Sequence, residues 1–410
     1  MQATGTRNLI LFDDDSRDHL LPLTFTRPVC ELRCGILTLR EKWEHRLGGT
    51  ASYITQDYLS ERYDIVFADD NYIINGSVFP DEELVARILA LHQNEALLHE
   101  GELVAARLDR MQFDNLTSET SESDHLVAYD LEVEYLHRLR QPYDLFRLNF
   151  AEIERDFALL TTGRASAPLN ESNWTANADH IFVEEGAEVN CAFLNATEGP
   201  IYIGAGVRIM EGSALRGPLA LCEQSTVKMG SKIYGGTTIG PYSKVGGEVG
   251  NSVLMGYSNK GHEGYLGNSV LGEWCNLGAD TNTSNLKNNY SPVRVWNYPA
   301  GTLVDTEQQF CGLIMGDHSK AGINTMFNTG TTVGVGANIY GGGFPPKFVP
   351  SFAWGGANGF ATHDLERAMQ TATRVMARRA VDFGPLDTII LLGVYEQTAR
   401  FRHWESDEEE

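Results

Sequence analysis

The amino-acid sequence predicts an α/β domain followed by a parallel β-helix. Two observations lead to this fold class: strand-like and helix-like segments alternate near the start of the chain, and aliphatic residues recur at a strict spacing of six near its middle. The 41 glycines suit a coil with many tight corners, because glycine accepts backbone angles that a Cβ atom forbids. A chain of 410 residues is long enough for two or three compact units.

The first predicted domain covers residues 7–115. A short apolar strand at residues 8–12 leads directly into the polar loop 13–17, and a second strand candidate covers residues 65–68. Segment 81–92 begins with acidic residues and carries apolar residues three or four positions apart, so we expect a helix there. Strands that alternate with helices predict an α/β domain.

Residues 116–180 are predicted to form a linker and a helical connector. Residues 114–125 are acidic, rich in Ser and Thr and poor in apolar residues, which is typical of a loop. Helical spacing then covers residues 129–163. At the other end of the chain, residues 346–410 are predicted to form an Arg-rich cap helix at 363–382 and an acidic tail.

The repeat domain is predicted over residues 181–345. Its hexad positions are Ile203, Ile209, Leu215, Leu221, Val227, Ile233, Ile239 and Val245. This spacing suits a coil of three short strands per turn, in which each strand sends one aliphatic residue inward. Four positions after each of these residues the side chain is usually small, as a narrow prism requires at its corners. Irregular segments at 250–265 and 284–312 interrupt the repeat, and such breaks are where loops and sites are usually found.

Composition excludes several function classes. The net charge of −23 argues against nonspecific binding of nucleic acid or of anionic membranes. The six cysteines form no CxxC pair, so neither a disulfide framework nor a zinc site is indicated. The chain starts without a basic region followed by an apolar run, and the apolar run Ile389–Val394 is too short to span a bilayer. We therefore expect a cytoplasmic protein with no nucleic-acid or membrane partner.

Residues 258–286 carry the most specific motif, SNKGHEGYLGNSVLGEWCNLGADTNTSNL. The segment resembles the acetyltransferase half of the bacterial bifunctional N-acetylglucosamine-1-phosphate uridylyltransferase/glucosamine-1-phosphate N-acetyltransferase, in which a K-x-G-H-x-x-Y-x-G-D block precedes N-I-G-A-G and a later Asn. The corresponding elements here are Lys260, His262, Tyr265, Gly267, Asn276–Ala279 and Asn285. This resemblance covers about residues 181–345. It implies a left-handed β-helix, a homotrimer, and acetyl-CoA bound between neighbouring subunits.

The implied chemistry needs few groups. An amine must be neutral to attack the thioester carbonyl of acetyl-CoA, and a histidine that titrates near neutral pH can accept its proton. The resemblance gives His262 this role, and the alternative is a surface histidine in a glycine-rich loop. Backbone N–H groups or an amide side chain must stabilise the oxyanion, and Asn285 and the Asn276–Ala279 stretch are the candidates. The resemblance implies that Ala279 lies near the acetyl-CoA, so Ala279 and Asn285 are the predicted acetyl-CoA-binding residues.

A sugar phosphate requires cationic or hydroxyl partners. The predicted substrate-binding residues are Lys260, Tyr265, Asn276 and Lys287. For Asn276 and Asn285 the alternative is an asparagine ladder or a turn of the coil. The sequence departs from the family at Asp280, which replaces the second glycine of N-I-G-A-G and adds a carboxylate close to the predicted thioester site.

Residues 9–33 resemble the start of sugar-phosphate nucleotidyltransferases, where a strand leads into G-x-G-T-R, then P-L-T and P-K. Arg17, Pro22–Thr24 and Arg27–Pro28 keep this outline, but the glycines are missing and Asp13–Asp15 occupy the loop. The resemblance implies nucleotide binding by Arg17 and Arg27, and Mg²⁺, held by Asp69, with a nucleoside triphosphate. The alternatives are a domain-interface salt bridge for the two arginines and a turn for Asp69.

The whole chain also resembles a variant group of two-domain proteins described as sugar nucleotidyltransferases, through LLPLTFTRP, TNTSNLKNNY and GINTMFNTG. We therefore expect an enzyme of sugar-nucleotide synthesis that N-acetylates a hexosamine 1-phosphate and couples a sugar 1-phosphate to a nucleotide. Three alternatives stay open: nucleotidyl transfer alone, acetyl transfer with a first domain that only binds a regulator, and a catalytically degenerate scaffold that binds sugar nucleotides.

Overall fold

The computed structural model describes residues 7–117, 126–133 and 136–408. Most of the predicted loop at 114–125 lies outside the described residues. The chain divides into two compact units. The first comprises Met1–Leu20, Arg27–Leu32 and Leu37–Arg140, and the second comprises Leu21–Thr26, Arg33–Ile36 and Gln141–Glu410. No helix within the described ranges is long and apolar enough to cross a membrane.

The first unit is built on a six-stranded mixed sheet in the order β2-β1-β3-β5-β4-β6. Its strands are β1 Arg7–Phe12, β2 Gly49–Ile54, β3 Asn71–Asn75, β4 Glu95–His99, β5 Glu102–Leu108 and β6 Val127–Asp130. Its helices are α1 Ser16–His19, α2 Leu39–Leu47, α3 Asp57–Ser60, α4 Glu82–Ala90 and α5 Arg110–Thr117, with a 3-10 turn at Val29–Glu31. Strands β1, β2 and β3 are parallel, as expected of an α/β domain. One side of the sheet packs around Ile10, Ile73 and Leu108.

Two local predictions near the linker need correction. Residues 114–117 continue helix α5 rather than starting a loop. The Asp109 carboxylate accepts the Gln112 N–H at 2.7 Å, and the Phe113 ring lies 4.9 Å from that of Phe67. The Asp109 cap and the packing of Phe113 thus stabilise a helix in spite of the polar composition of the segment. The helical connector is also shorter than predicted, because residues 127–130 form β6 and helix α6 covers Asp144–Thr161.

The second unit contains three sheets whose strands follow one another around a coil and are parallel except for the last strand, β35, which is antiparallel to β34. This is consistent with the predicted left-handed parallel β-helix. Face one contains β7 Trp174–Ala176, β10 Phe193–Asn195, β13 Ala214–Arg216, β16 Lys232–Ile233, β19 Glu248–Gly250 and β22 Tyr265–Gly267. Face two contains β8 Ile181–Val183, β11 Ile201–Ile203, β14 Leu219–Leu221, β17 Thr237–Ile239, β20 Val253–Gly256, β23 Val270–Glu273, β28 Ile314–Met315, β31 Thr332–Val333 and β33 Phe348–Val349. Face three contains β9 Glu188–Val189, β12 Arg208–Ile209, β15 Thr226–Val227, β18 Lys244–Val245, β21 Asn259–Lys260, β24 Asn276–Leu277, β29 Lys320–Ala321, β32 Asn338–Ile339, β34 Ala353–Gly356 and β35 Gly359–Thr362.

The hexad residues fill the interior of the coil, as predicted. All eight positions from Ile203 to Val245 are at most 2% exposed. Successive coils place them directly over one another, so that Val227 of β15 pairs with Val245 of β18. The small residues four positions later are also buried, with Ser225 and Ser231 at 0% exposure. Large inward and small corner residues therefore explain the packing of the prism.

Two further elements complete the second unit. Strands β25 Asn282–Thr283 and β30 Met326–Phe327 extend the coil as a separate pair, and the irregular segment between them contains the hairpin β26 Arg294–Asn297 and β27 Thr302–Asp305. The cap helix α7 covers Leu365–Ala377, shorter than the predicted 363–382. A second C-terminal helix, α8 Pro385–Gln397, was not predicted, and it buries Ile390, Leu391 and Val394. Single 3-10 turns lie at Ala178–His180, Ala399–Phe401 and His403–Glu408.

Candidate active site

His262 lies in a corner of the coil between β21 and β22. At regular corners between faces three and one, the third residue after the inward one has a left-handed backbone. Gly212 follows Ile209 in this way with φ of +73°, and Gly230 follows Val227 with φ of +68°. The corner of residues 261–264 has the same length but a different shape, because its positive φ is at the fourth position, Gly264, at +116°. The His262 side chain is exposed. The coil thus presents the predicted base to solvent on an atypical corner.

Two glycines of the preceding coil make room for this corner. A Cβ atom on Gly246 would lie 2.9 Å from the carbonyl carbon of Gly261. A Cβ atom on Gly247 would lie 2.8 Å from the Gly264 oxygen and 2.9 Å from the Glu263 Cα and the His262 oxygen. Neither contact is tolerable, since the neighbouring atoms belong to the backbone. Gly246 and Gly247 therefore allow the backbone that carries His262 to settle onto the coil below it.

Lys260 points into the prism. It pairs with Val245 of the coil below, and it occupies the inward position that Val245 and Leu277 hold in neighbouring coils. Only 1% of its surface is exposed. Its ammonium group donates to the carbonyl oxygens of His262 at 2.6 Å and Glu263 at 3.2 Å. Burial lowers the pKa of Lys260 to about 8, against the opposing effect of Glu263 and Asp280.

Tyr265 and Asn285 are brought together directly. The Asn285 amide nitrogen donates to the Tyr265 hydroxyl at 3.0 Å and to the Asn268 side-chain oxygen at 2.8 Å. A Cβ atom on Gly267 would lie 2.2 Å from that hydroxyl, so the glycine of the Y-x-G motif lets the tyrosine fold back over the strand. Burial raises the pKa of Tyr265, and the hydrogen bond from Asn285 opposes the rise. The Tyr265 hydroxyl is therefore protonated near neutral pH and can donate to another acceptor.

Asn268 completes this network and was not predicted. Its position follows the Y-x-G glycine, where the family has Asp, and this signal is visible in the sequence. With φ of +47° it is the left-handed residue of its corner, a conformation that Asn tolerates.

Asn276 and Ala279 lie one coil further on. The Asn276 oxygen accepts from the Asn259 amide at 2.8 Å on the outward side of face three. This is the asparagine ladder foreseen as the alternative for Asn276. Ala279 and Asp280 form the corner above residues 261–264, and the Asp280 N–H donates to the Glu263 oxygen at 3.0 Å. Asp280 is exposed and has φ of +54°, the conformation of Gly230 at the equivalent corner.

Lys287 lies apart from these groups, in the segment that leads towards the hairpin. Its ammonium group donates to the Ser291 hydroxyl at 3.3 Å and to the Pro292 carbonyl. These bonds are local, within five residues along the chain. They hold the insertion in shape, and Lys287 stays a prediction as a phosphate ligand.

In the first unit, the acidic loop directs its groups inward. The Asp13 carboxylate accepts from the Val29 N–H at 2.8 Å and from the Thr55 hydroxyl at 2.6 Å. Burial raises the Asp13 pKa to about 6 in spite of these two bonds. Asp14 accepts from Asn75 at 2.7 Å and from the 4% exposed Arg138 at 2.5 Å. A loop in which two carboxylates bind its own scaffold offers little to a triphosphate.

The predicted nucleotide ligands of this unit are buried, whereas the predicted metal ligand is exposed. Arg17 is 4% exposed and donates to the Tyr58 hydroxyl at 2.7 Å and to Asp18 at 2.9 Å. Arg27 is 6% exposed, whereas Asp69 is exposed on the loop before β3. Within the described part of the chain, no group of three His, Cys, Asp or Glu side chains could hold a metal ion. Mg²⁺ can be held by one or two carboxylates together with substrate phosphates, so Asp69 stays a prediction as a ligand of Mg²⁺ that arrives with a nucleoside triphosphate.

The P-L-T segment of the nucleotidyltransferase motif belongs to the second unit. Leu23 and Thr24 are at most 1% exposed, and the Phe25 ring lies edge-on to Tyr298 at 5.3 Å. The neighbouring Thr26 hydroxyl donates to Asp317 at 2.8 Å. These side chains form part of a packed interior, so the similarity of this segment to a phosphate-binding motif reflects a structural use here.

Comparison with known proteins supports the division into two kinds of domain. Residues 9–165 match the family described as sugar nucleotidyl transferase. The N-terminal part of the chain is therefore nucleotidyltransferase-like. The bifunctional protein GlmU of Methanocaldococcus jannaschii is 35% identical over 118 residues, which is 29% of this chain and 26% of the relative. The resemblance inferred from the motifs is thereby confirmed at modest identity.

The names of two other relatives mention acetyl transfer, and one of them also mentions nucleotidyl transfer. The bifunctional sugar-1-phosphate nucleotidylyltransferase/acetyltransferase of Sulfurisphaera tokodaii is 35% identical over 95 residues, which is 23% of each chain. The uncharacterized acetyltransferase YaiX of Escherichia coli is 27% identical over 158 residues, which is 38% of this chain and 63% of the relative. The chain thus spans about a quarter of the length of the GlmU relative.

Proposed function

We propose that the protein is a sugar-nucleotide-synthesis transferase whose β-helical unit acetylates a hexosamine 1-phosphate with acetyl-CoA. The observation that carries this proposal is the corner of residues 261–264. It is shaped by Gly246 and Gly247 and presents His262 to solvent on the coil that also bears Tyr265, and the next coil bears Asn285. The names of two relatives agree with this proposal: GlmU is called a bifunctional protein, and YaiX is called an acetyltransferase.

Each residue has a distinct part in the proposed reaction. His262 accepts the proton that the amine loses as it attacks the thioester carbonyl. The Tyr265 hydroxyl, held by the Asn285 amide, donates its own proton to an oxygen of the sugar phosphate. Both amide protons of Asn285 are used by Tyr265 and Asn268, so Asn285 acts on the substrate through Tyr265.

The developing oxyanion needs a donor, and the Ala279 corner supplies one. The N–H groups of Gly278 and Asp280 donate to the carbonyls of Ala321 and Glu263. The Ala279 N–H between them has no hydrogen-bond partner among the described residues. A backbone N–H that is held in place by bonded neighbours on both sides is suited to stabilise the acetyl oxygen.

The test is acetyl-CoA turnover with glucosamine 1-phosphate, followed as free thiol, for the wild type and His262→Ala. Loss of a general base costs about 10²- to 10⁴-fold in rate. The exposed His180 provides the control, and His180→Ala should leave the rate unchanged. Turnover that persists in His262→Ala would remove the assignment of the base. Absence of turnover in the folded wild type, with any hexosamine phosphate, would remove the function.

A second candidate is nucleotidyl transfer onto a sugar 1-phosphate by the first unit, alone or coupled to acetylation. The match of residues 9–165 to the sugar nucleotidyl transferase family favours it, while the inward carboxylates of Asp13 and Asp14 weigh against it. Pyrophosphate release from UTP and N-acetylglucosamine 1-phosphate in the presence of Mg²⁺ would establish it. Sugar-nucleotide binding without either turnover would establish the degenerate scaffold instead.

The assembly state is part of the proposal. Acetyl-CoA bound between neighbouring prisms requires more than one subunit, and the family resemblance implies a homotrimer. The chain has a mass of 45.4 kDa, so light scattering should give three times this value. A monomer in solution would require the whole acetyl-CoA site to lie within one chain.

A further inference from the structure

Lys260 is the exception among the inward residues of face three. The equivalent positions in other coils are occupied by Ile209, Val227, Val245, Leu277 and Ile339, all of which belong to the apolar core. An ammonium ion at such a position must be removed from water, which is costly unless its donors are matched by acceptors. A lysine here therefore needs a compensating role.

The motif does not provide that role. In K-x-G-H the lysine precedes the histidine by three residues, whereas Lys260 precedes His262 by two. Side chains along a strand alternate between its two sides, so a shift of one residue exchanges inside for outside. Asn259 occupies the outward position of β21, beside Asn276, and Lys260 points inward. With 1% of its surface exposed, Lys260 offers no accessible ammonium group to a sugar phosphate.

The ammonium group instead holds the corner above it. Its two acceptors are the carbonyls of His262 and Glu263, the middle residues of that corner. The same Glu263 oxygen accepts the Asp280 N–H, which links the corner to the next coil. The peptide units on either side of Glu263 are therefore fixed from inside the prism, and the direction in which His262 leaves the backbone is set by them.

We propose that Lys260 is a positioning residue, whose buried ammonium group binds the carbonyls of His262 and Glu263 and so fixes the His262 imidazole in its working orientation. The proposal rests on the proposed acetyl transfer and names a residue that acts through the base rather than on the substrate. A base displaced by about 1 Å can lose about 10²-fold in rate, so a structural bond of this kind is sufficient to control turnover.

The test replaces Lys260 by methionine, which keeps the length and the apolar stem and removes the charge. Leu254→Met is the matched control, because Leu254 is a fully buried inward residue of face two in the same coil. For Lys260→Met we expect kcat to fall about 10- to 100-fold with the KM for glucosamine 1-phosphate within about two-fold of wild type. Leu254→Met should change neither constant by more than about two-fold.

A second measurement does not depend on activity. Amide hydrogen exchange of the peptide covering residues 259–267 should be faster in Lys260→Met than in the wild type and in Leu254→Met, since the corner has lost its internal bonds. If the wild type shows no acetyl transfer, the proposed function fails, and this exchange measurement alone decides whether Lys260 holds the corner.

Two outcomes would overturn the proposal. A rise in KM with kcat unchanged would show that Lys260 contributes to substrate binding rather than to the orientation of His262. Unchanged kcat together with unchanged exchange in residues 259–267 would show that the ammonium group is dispensable for the corner. Faster exchange together with a loss confined to kcat supports the positioning role.

Discussion

Replacing Lys260 by methionine should stabilise the protein while it impairs the proposed reaction. The pKa of Lys260 falls from 10.5 to about 8 on folding because the ammonium group is buried. A difference of about 2.5 units corresponds to about 3 kcal/mol that the wild type loses at pH 7 by keeping the buried group charged. Methionine at the same position avoids this loss and packs among aliphatic neighbours, but it removes the donor of the His262 and Glu263 carbonyls, which costs about 1 kcal/mol. We therefore expect Lys260→Met to raise the free energy of unfolding by about 2 kcal/mol at pH 7.

The sign of the pH dependence follows from the same two values. Between the folded pKa of about 8 and the unfolded value of 10.5, the unfolded state holds more protons, so the stability of the wild type rises with pH. The charged groups that act on the ammonium are Glu263 and Asp280, and both oppose the fall. The advantage of Lys260→Met should therefore shrink to nearly zero by about pH 9.5.

Urea unfolding followed by tryptophan fluorescence measures this difference. Five of the six tryptophans lie in the second unit, since only Trp43 belongs to the first, so the signal reports mainly on the β-helix. The wild type, Lys260→Met and Leu254→Met are compared at pH 7 and near pH 9.5. A gap between wild type and Lys260→Met that is independent of pH, or a variant less stable than the wild type at pH 7, would refute the assignment of a costly buried charge.

Three further predictions concern the backbone cradle, the hydroxyl network and the acidic loop. Gly247→Ala should lower kcat for acetyl transfer at least about 10-fold, whereas Gly230→Ala, which has a similar φ but open space, should cost only about 1–2 kcal/mol of stability in an unfolding titration. Tyr265→Phe should reduce kcat/KM for glucosamine 1-phosphate about 10- to 100-fold in the thiol assay, because a hydrogen bond to a charged oxygen is lost. Asp14→Asn should lower the stability of the first unit by about 1–3 kcal/mol, which faster hydrogen exchange of the amides in Arg7–Phe12 would reveal. Asp15 is exposed, so Asp15→Asn should leave this exchange unchanged. Burial alone would raise the Asp14 pKa, but the pKa is lowered in the folded protein because Ser16, Asn75 and Arg138 bind the carboxylate. The stability that the ionised Asp14 contributes is therefore present above its unfolded pKa and is lost as pH falls through its folded pKa.

The coil could be predicted from sequence because each hexad carries its own evidence. One residue in six must be aliphatic and inward, and every position from Ile203 to Val245 satisfies this requirement independently. Helix α8 could not be predicted in the same way. Its apolar residues Ile389–Val394 are continuous rather than spaced along one face, so no helical period is visible. The packing of Phe25 within the second unit depends on Tyr298, about 270 positions away in sequence, and no local pattern records this contact.

The candidate site was only partly accessible to sequence reasoning. The spacing of Tyr265 and Asn285 predicted two residues that the fold does join, since they lie on consecutive coils. Lys260 shows where such reasoning stops. Motif matching tolerates a shift of one residue, whereas a strand does not, because each step reverses the side to which a side chain points. The orientation of a lysine in an irregular coil must therefore be read from the strand pairing, which places Lys260 opposite Val245 and so in the interior.

The two departures from the family pattern carry opposite weight for the proposed function. At Asp280 the family has glycine, and the structure explains why that position demands little more than a left-handed backbone. Its φ of +54° is close to that of Asn324 at the corresponding corner of the next coil, +60°, and Asp and Asn both tolerate this conformation. In the first unit, by contrast, the missing glycines are replaced by carboxylates that bind Val29, Thr55 and Arg138 of their own scaffold. Asp280 is therefore compatible with the proposed acetyl transfer, whereas the inward carboxylates of the acidic loop weigh against the proposed nucleotidyl transfer.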